Sequence, residues 1–414
     1  MRQIRKLNQA DVADLVDVVA NAYPAFGAST VEARERLYGR LKERLDKPAP
    51  YYGLFEGETL LGAMRLHDFT MKLHTARVLV GGIGGVAVDM AYKKEKVARD
   101  LVLYFLRHYR NRGAPLTALY PFRPDFYRQM GWGYGTKLSQ YRVAPANLPR
   151  GSKQGVRFLE NRDWDKTAVL DCYHRYLEQT NGMFVRSRAD FDELFGNLAN
   201  KFVGFHDGKK LRGYFIFHFE KVEGGSFLQN DIVVSELIYE TPAALRGLLA
   251  FLHTQADQIR QVVFNLLDDD FHYVFHDPRY SNRLLPSVYH ESNVQGVGLM
   301  YRVIHVKRLF TALREHDFGG QSCRLRLTVR DSLLSENEGD VLLVVENGRC
   351  RLDEGEAEVA ITLDVADFSS LIVGAVGFAQ LYRYGLADIS DPAWVDKVDR
   401  LFAVRQKPVC LASF

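Results

Sequence analysis

Two lysines just ahead of a helix are the residues whose position most clearly predicts a chemistry. Lys93 and Lys94 follow an apolar segment that ends at Val88, and apolar residues at helical spacing begin with Val97 and Leu101. The first turn of a helix has unpaired backbone N–H groups and the positive end of the helix dipole, so nearby lysines add charge to an anion site. The segment therefore predicts a phosphate-binding site. The alternative is an ordinary strand and helix whose lysines are only a solvated face.

The strand ahead of these lysines is unusual because it contains four glycines. Residues 79–88 are apolar and β-branched enough for a buried strand, so the glycines indicate that another group approaches or bends the backbone. The stretch from Gly82 to Ala87 also fits the G-x-G-x-x-(G/A) dinucleotide pattern. Because these glycines lie inside a strand rather than at the start of a helix, we interpret that match as chance.

Length and composition exclude several classes of protein. A chain of 414 residues predicts two or three domains, at roughly 150 residues each. Its formal net charge of +3 favours neither nucleic acid nor a membrane as the main partner. No segment approaches the ~18 apolar residues of a membrane span and the N-terminus is polar, so a cytoplasmic location is expected. The scattered cysteines form no C-x-x-C pair, which predicts reduced, buried thiols and no metal site.

Three ranges are predicted from the order of elements: 1–148, 149–287 and 288–414. In the first, a strand, two helices and a hairpin precede the glycine strand, the lysine-bearing helix and a strand at 116–120 that pairs parallel with the glycine strand. The second range repeats this order without a basic turn, so we assign it no cofactor. The third is predicted to contain strands, including 301–304 and 306–313, followed by three helices.

The segment Val86-Ala87-Val88, with Tyr92, Lys93, Lys94 and Val97, resembles the acetyl-coenzyme A motif of the GCN5-related N-acetyltransferases (GNAT). Met90, Glu95 and Lys96 depart from it, where proline, arginine and glycine are usual. A lysine in place of the glycine would either block the pyrophosphate or fold outward and contribute its ammonium group. The resemblance implies that acetyl-CoA, as co-substrate, is bound by Val86, Ala87, Val88, Lys93, Lys94, Glu95, Lys96, Val97, Ala98 and Arg99.

Two further features extend the resemblance over the whole chain. The aromatic turn at 126–133 is similar to a GNAT element that places a tyrosine, here Tyr127, beside the thioester sulfur. The order of the ranges resembles the enhanced-intracellular-survival (Eis) family, in which the C-terminal carboxylate, here that of Phe414, acts as base. The implied fold is α+β / α/β: two tandem GNAT-type mixed-sheet domains, the second degenerate, followed by a sterol-carrier-like α+β domain.

The resemblance implies an acetyl-CoA-dependent N-acetyltransferase that acts on primary amines, aminoglycoside- or polyamine-like, by direct attack in a ternary complex. The backbone of 86–88 would hold the thioester oxygen and Tyr127 would protonate the sulfur. A homo-oligomer, hexameric by resemblance, is expected, without metal, nucleic acid or membrane. Two alternatives remain open: a non-catalytic acyl-CoA- or lipid-binding protein, and an N-acyltransferase for peptide amines, because the doubled fold also resembles N-myristoyltransferases.

Overall fold

The computed structural model describes residues 1–24, 30–45, 47–224, 228–280, 285–286 and 288–414. It divides into two compact units, each built from more than one stretch of chain. Unit 1 comprises Met1–Gly135, Leu299–Lys407 and Ala412–Phe414, and unit 2 comprises Thr136–Gly298 and Pro408–Leu411.

The elements are numbered along the chain. The first part of unit 1 contains β1 (Arg2–Lys6), α1 (Val12–Ala22), α2 (Val31–Leu45), β2 (Tyr51–Glu56), β3 (Thr59–Leu73), β4 (Ala76–Val88), α3 (Val97–Asn111), β5 (Leu116–Leu119), α4 (Pro124–Arg128) and β6 (Gly133–Tyr134). Unit 2 contains β7 (Leu138–Val143), β8 (Val156–Leu159), α5 (Asp163–Gln179), α6 (Arg188–Gly196), β9 (Lys201–His206), β10 (Leu211–Lys221), β11 (Asn230–Tyr239), α7 (Pro242–His253), β12 (Ile259–Leu266) and β13 (Val294–Gly296). The second part of unit 1 contains β14 (Met300–Val303), α8 (Val306–Ala312), β15 (Cys323–Arg330), β16 (Gly339–Glu346), β17 (Arg349–Asp353), β18 (Val359–Asp364), α9 (Val365–Ile372), α10 (Phe378–Arg383), β19 (Ala387–Ile389) and α11 (Val395–Phe402).

The first sheet of unit 1 is a mixed sheet of seven strands in the order β1-β2-β3-β4-β5-β14-β6. Its neighbours are antiparallel except β4 and β5, which are parallel and joined through α3, as predicted. That pairing covers only Val80 to Gly82 against Leu116 to Ala118, whereas β4 continues to Val88. The two strands therefore part beyond Gly82, and the open half of β4 faces the gap.

Helices cover both faces of this sheet. Leu15 and Leu41, from α1 and α2, belong to a core cluster with Phe55 of β2. Leu101 of α3 belongs to another, with Leu54 of β2. Adjacent residues in a strand point to opposite faces, so the two clusters lie on opposite sides of the sheet.

Unit 2 repeats the strand order of the first sheet: β8-β9-β10-β11-β12-β7-β13, with β11 and β12 parallel and joined through α7. This confirms the predicted second copy of the fold. Helix α6 was not predicted from the sequence. Its start is fixed by a capping box in which the Ser187 N–H and hydroxyl both donate to Asp190.

The C-terminal part of unit 1 forms a five-stranded sheet in the order β17-β16-β15-β18-β19, with α8 to α11 around it. The strand predicted at 306–313 is wrong: these residues form α8. Val306, Leu309 and Phe310 are buried at helical spacing, and His305 caps the helix by accepting a hydrogen bond from the N–H of Arg308.

The sheets also cross the ranges predicted at sequence level. Strand β14, from the range 288–414, pairs with β5 and β6 in the first sheet, and β13 pairs with β7 in the sheet of unit 2. The division at 148 and 287 stays a prediction.

Two predictions on composition can be compared with the structure. All four cysteines are free and buried, as expected for reduced thiols. Within the described residues, no helix combines the length and the apolar character that a membrane crossing requires.

Two stacked histidines predict a pH-dependent stability. The rings of His74 and His316 lie 4.4 Å apart, and burial, followed by the nearby His74, lowers the pKa of His316 to about 4. Since the unfolded chain has a histidine pKa near ~6.5, it binds a proton between these values while the folded protein does not, so stability falls as pH decreases from ~6.5 to ~4. We expect wild type to lose about 1–2 kcal/mol more than His316→Gln between pH 7 and pH 5 in urea unfolding. Equal losses would contradict this assignment.

Candidate active site

The turn between β4 and α3 has a backbone that usually requires glycine. Asp89 begins it by accepting a hydrogen bond from the N–H of Ala91 at 2.8 Å. Lys94 and Lys96 then have positive φ angles of 70° and 65°, and α3 begins at the next residue, Val97. Lys96 thus has the left-handed conformation that glycine adopts most easily. The N-terminal backbone of α3 is therefore formed as in an anion-binding turn.

Replacing Lys96 by glycine should stabilise the fold relative to alanine at this position. A left-handed non-glycine residue costs ~1–2 kcal/mol, and the greater freedom of glycine in the unfolded chain returns part of this. We expect Lys96→Gly to exceed Lys96→Ala in unfolding free energy by about 0.5–1 kcal/mol in urea titrations. An alanine variant at least as stable as the glycine variant would show that the turn is not strained.

The remaining predicted coenzyme residues differ in how far their side chains are exposed. The side chains of Ala87 and Val97 are buried in the two core clusters, so only their backbone groups are free to meet a ligand. Exposed side chains are found at Lys93, Lys94, Glu95, Lys96 and Arg99, while Val86, Val88 and Ala98 are half-buried. The carboxylate of Glu95 forms an ion pair with Arg2 at 3.1 Å. The positive charge of Arg2 reduces the repulsion between Glu95 and an anion at the turn.

Strand β4 is bent where it borders the gap. The pairing of β3 with β4 shifts between Ala63 and Arg65, and Gly85, at a φ of 55°, lies in the bulge. The next carbonyl, of Val86, accepts a hydrogen bond at 2.6 Å from the hydroxyl of Tyr23, which is on the segment after α1. The bulge thus orients the backbone that the resemblance assigns to the thioester.

Tyr127 is placed by a compact aromatic turn. Its carbonyl accepts hydrogen bonds from the N–H groups of Met130 and Trp132, and its ring packs edge-on against that of Trp132 at 5.9 Å. Arg302, a fully buried residue of β14, stabilises this aromatic turn by donating a hydrogen bond to the Met130 carbonyl at 2.8 Å. Asp125 lies within the first turn of α4, where it pairs with Arg123.

The hydroxyl of Tyr127 is available for chemistry. The side chain is buried, and burial followed by the neighbouring Tyr23 raises its pKa above the ordinary value, so the phenol stays protonated. Among the residues that the structure describes, none hydrogen-bonds this hydroxyl. Tyr23, whose charge acts on the Tyr127 hydroxyl, also donates its own hydroxyl to the Val86 carbonyl at the β4 bulge.

Phe414 lies against the same strand. A Cβ built on Gly84 would be 3.5 Å from the carboxyl carbon of Phe414, and one on Gly82 would be 3.0 Å from its ring. The ring also contacts those of Phe69 and Tyr120, at 4.7 and 5.4 Å. The rings of Phe69 and Phe414 leave little room for a side chain at Gly82, Tyr109 fills the space at Gly81, and Gly85 is required by its positive φ. The terminal carboxyl group and the Tyr23–Val86 contact are two residues apart on β4.

A histidine that the sequence did not single out borders this carboxyl group. Nε2 of His67 would lie 3.6 Å from a Cβ on Gly84, and its ring is 5.5 Å from that of Phe414. Burial, followed by the charges of Arg65 and Arg44, lowers its pKa to about 4, so it is neutral near pH 7. Tyr120, whose hydroxyl donates to the Ala412 carbonyl at 2.9 Å, was missed as well. Both lie in strand-like stretches that gave no signal beyond packing.

Family models match most of the chain. Acetyltransferase (GNAT) domain models match residues 3–135 and 182–303, and a sterol carrier protein domain model matches residues 307–411. The chain belongs to the GNAT acetyltransferases. The predicted fold class, two GNAT domains and a sterol-carrier-like domain, is confirmed, and so is the prediction of an acetyl-CoA-dependent acyltransferase.

Solved structures share the fold of this GNAT protein over its full length. A GCN5-related N-acetyltransferase from Anabaena variabilis is 20% identical, with a TM-score of 0.80 and 100% of both chains covered. One from Kribbella flavida is 22% identical, with a TM-score of 0.78, covering 100% of this chain and 98% of that one. Eis1 from Mycobacterium abscessus is 18% identical, with a TM-score of 0.77 and full coverage of both chains. No curated protein matches the chain.

Proposed function

We propose that this protein transfers the acetyl group of acetyl-CoA to a primary amine by direct attack in a ternary complex. The observation that carries the proposal is the position of the Phe414 carboxyl carbon, 3.5 Å from a Cβ on Gly84, on the strand that borders the gap to β5. A carboxylate there faces the region where an amine would meet a thioester held along β4.

The coenzyme side of the reaction is supported by three features. The left-handed turn at Lys94 and Lys96 opens α3, whose unpaired N–H groups suit a pyrophosphate. Beyond Gly82 the parting of β4 from β5 leaves strand backbone for the pantetheine arm. Backbone N–H groups at Val86 to Val88 would stabilise the oxyanion that develops on the thioester.

The acceptor side needs a base and the leaving group needs an acid. The Phe414 carboxylate takes a proton from the ammonium group, and the neutral nitrogen then attacks the thioester carbonyl carbon. A C–N bond forms, the C–S bond breaks, and the departing thiolate receives the proton of the Tyr127 hydroxyl. The new amide nitrogen loses its second proton to solvent, the Phe414 carboxyl group releases the proton that it took, and Tyr127 regains one, so the transfer releases one proton in total. Because the carboxylate acts on the amine directly, no acyl-enzyme is formed.

The test is thiol release from acetyl-CoA by full-length protein across a panel of amines, including the aminoglycosides and polyamines that the resemblance implies. Amine-dependent release with a one-to-one amide product supports the proposal. Calorimetric binding of acetyl-CoA without turnover of any amine would favour the non-catalytic alternative. Preference for long-chain acyl-CoA and a peptide N-terminus would favour the N-myristoyltransferase-like alternative.

Several expectations rest on the likeness to the Eis family. The full-length match to the fold of Eis1 supports the assignment to that family, in which a terminal carboxylate serves as base. The homo-oligomer, hexameric by resemblance, and the cytoplasmic location stay predictions, as do the absence of a metal and of a coenzyme in the second GNAT domain.

A further inference from the structure

A cavity beside the β4 bulge is lined by cationic and apolar side chains. It has a volume of about 380 Å³ and lies between α1, α2 and the start of β2. Gly85 of the bulge and Tyr23, whose hydroxyl donates to the Val86 carbonyl, are also part of its lining. The cavity therefore opens onto the strand at which the proposed transfer takes place.

Two arginines of α2 supply the charge of this cavity. Arg40 and Arg44 line it one helical turn apart, and both are exposed to solvent. Residues four apart are neighbours on a helix surface, so the two guanidinium groups can meet one ligand. Within the described part of the chain, neither has a carboxylate at salt-bridge distance.

The walls of the cavity do not offset this charge. Of the described residues that line it, none is acidic, and the others are apolar or aromatic, with Leu37 and Leu41 beside the arginines and Tyr51 opposite. The acids of α2, Glu32, Glu35 and Glu43, are outside the lining. Burial, followed by the charges of Arg65 and Arg44, lowers the pKa of His67, whose ring lies 5.5 Å from that of Phe414. A polycation would be repelled here.

We infer that the acceptor is a primary amine that also carries a carboxylate or phosphate group, with its anionic end at Arg40 and Arg44 and its nitrogen at the β4 bulge. Guanidinium groups bind both anions through paired hydrogen bonds, and the apolar walls suit a short hydrocarbon body between the two ends. This inference rests on the proposed function and narrows the class of amines that can act as acceptor. It goes against the aminoglycoside- or polyamine-like acceptors that the resemblance implies.

The experiment compares amines that share a benzylamine framework and differ in the charge at the far end of the ring, in the thiol-release assay. 4-(Aminomethyl)benzoate and 4-(aminomethyl)phenylphosphonate are the two anionic probes, benzylamine is neutral at the far end, and p-xylylenediamine is cationic. We expect kcat/KM to be about tenfold higher for at least one anionic probe than for benzylamine, and lowest for the diamine. The better of the two anionic probes distinguishes a carboxylate acceptor from a phosphate acceptor.

Variants locate the effect in the cavity. Arg40→Gln and Arg44→Gln should each raise KM for the anionic probe about tenfold with little change in kcat, and leave benzylamine unchanged. Arg36→Gln, on the same helix but outside the cavity, should leave KM unchanged for both the anionic probe and benzylamine. A diamine preferred by wild type, or equal losses for all probes in both cavity variants, would overturn the inference while leaving acetyl transfer intact.

Binding separates this inference from the proposed function. If no amine releases thiol, the proposed function fails, and calorimetry with 4-(aminomethyl)benzoate and 4-(aminomethyl)phenylphosphonate still tests the cavity. If either anionic probe binds to the wild type and not to the Arg40→Gln/Arg44→Gln double variant, the anion site in the cavity is supported. If neither probe binds to the wild type, the anion site is contradicted.

Discussion

Tyr127→Phe should lower kcat by about 10²–10⁴, the range typical of a positioned general acid. The raised pKa keeps the phenol protonated, and a thiolate that departs into the same buried surroundings has its own pKa raised, so the two groups remain matched. Phenylalanine keeps the ring that packs on Trp132 and removes only the hydroxyl, for which no partner is described. The effect should therefore appear in steady-state turnover and leave the thermal midpoint unchanged.

The control for this variant is a tyrosine of the same turn. Tyr134 in β6 is 41% exposed and packs under Arg128 rather than toward β4, so Tyr134→Phe should retain wild-type kcat. KM for acetyl-CoA should stay within about twofold in both variants, because the proposed contact acts on the sulfur as it leaves. A kcat for Tyr127→Phe close to that of Tyr134→Phe would remove Tyr127 from the role of acid.

The order of the first sheet could be predicted because its signals are local. Alternating apolar residues give the hairpin of β2 and β3, helical spacing gives α3, and glycines within β4 indicate a close neighbour. The neighbour itself is far along the chain. That Phe414 fills the space over Gly82 follows from the tertiary fold, and only the family resemblance gave a reason to expect it.

Other features had no local signal. The segment 306–312 is too short for its apolar residues to distinguish a strand from a helix, and in the structure it is a helix capped by His305. Strand β14 lies between β5 and β6, more than 160 residues away in sequence, so its place cannot be read from neighbouring segments. Arg40 and Arg44 look like the solvated face of α2 until the cavity beside them is known.

Adding one glycine after Phe414 should reduce kcat/KM for the amine by about 10²–10³ near neutral pH. One residue moves the terminal carboxylate by up to ~3.5 Å and leaves an uncharged peptide carbonyl at the position beside Gly84. The proton acceptor is then lost, although the side chain of Phe414 can keep its contacts with Phe69 and Tyr120. Thiol release with a saturating concentration of acetyl-CoA measures the loss.

Two comparisons assign this loss to the carboxylate. Phe414→Ala keeps the terminal carboxylate and removes the ring, so any fall in its rate should come with a fall in thermal midpoint, since aromatic contacts are lost. The extended variant should instead recover as the pH approaches the pKa of the amine, because an amine that is already neutral needs no base. An extended protein that keeps the wild-type rate and pH profile would show that the terminal carboxylate is docked on β4 without taking part in the transfer.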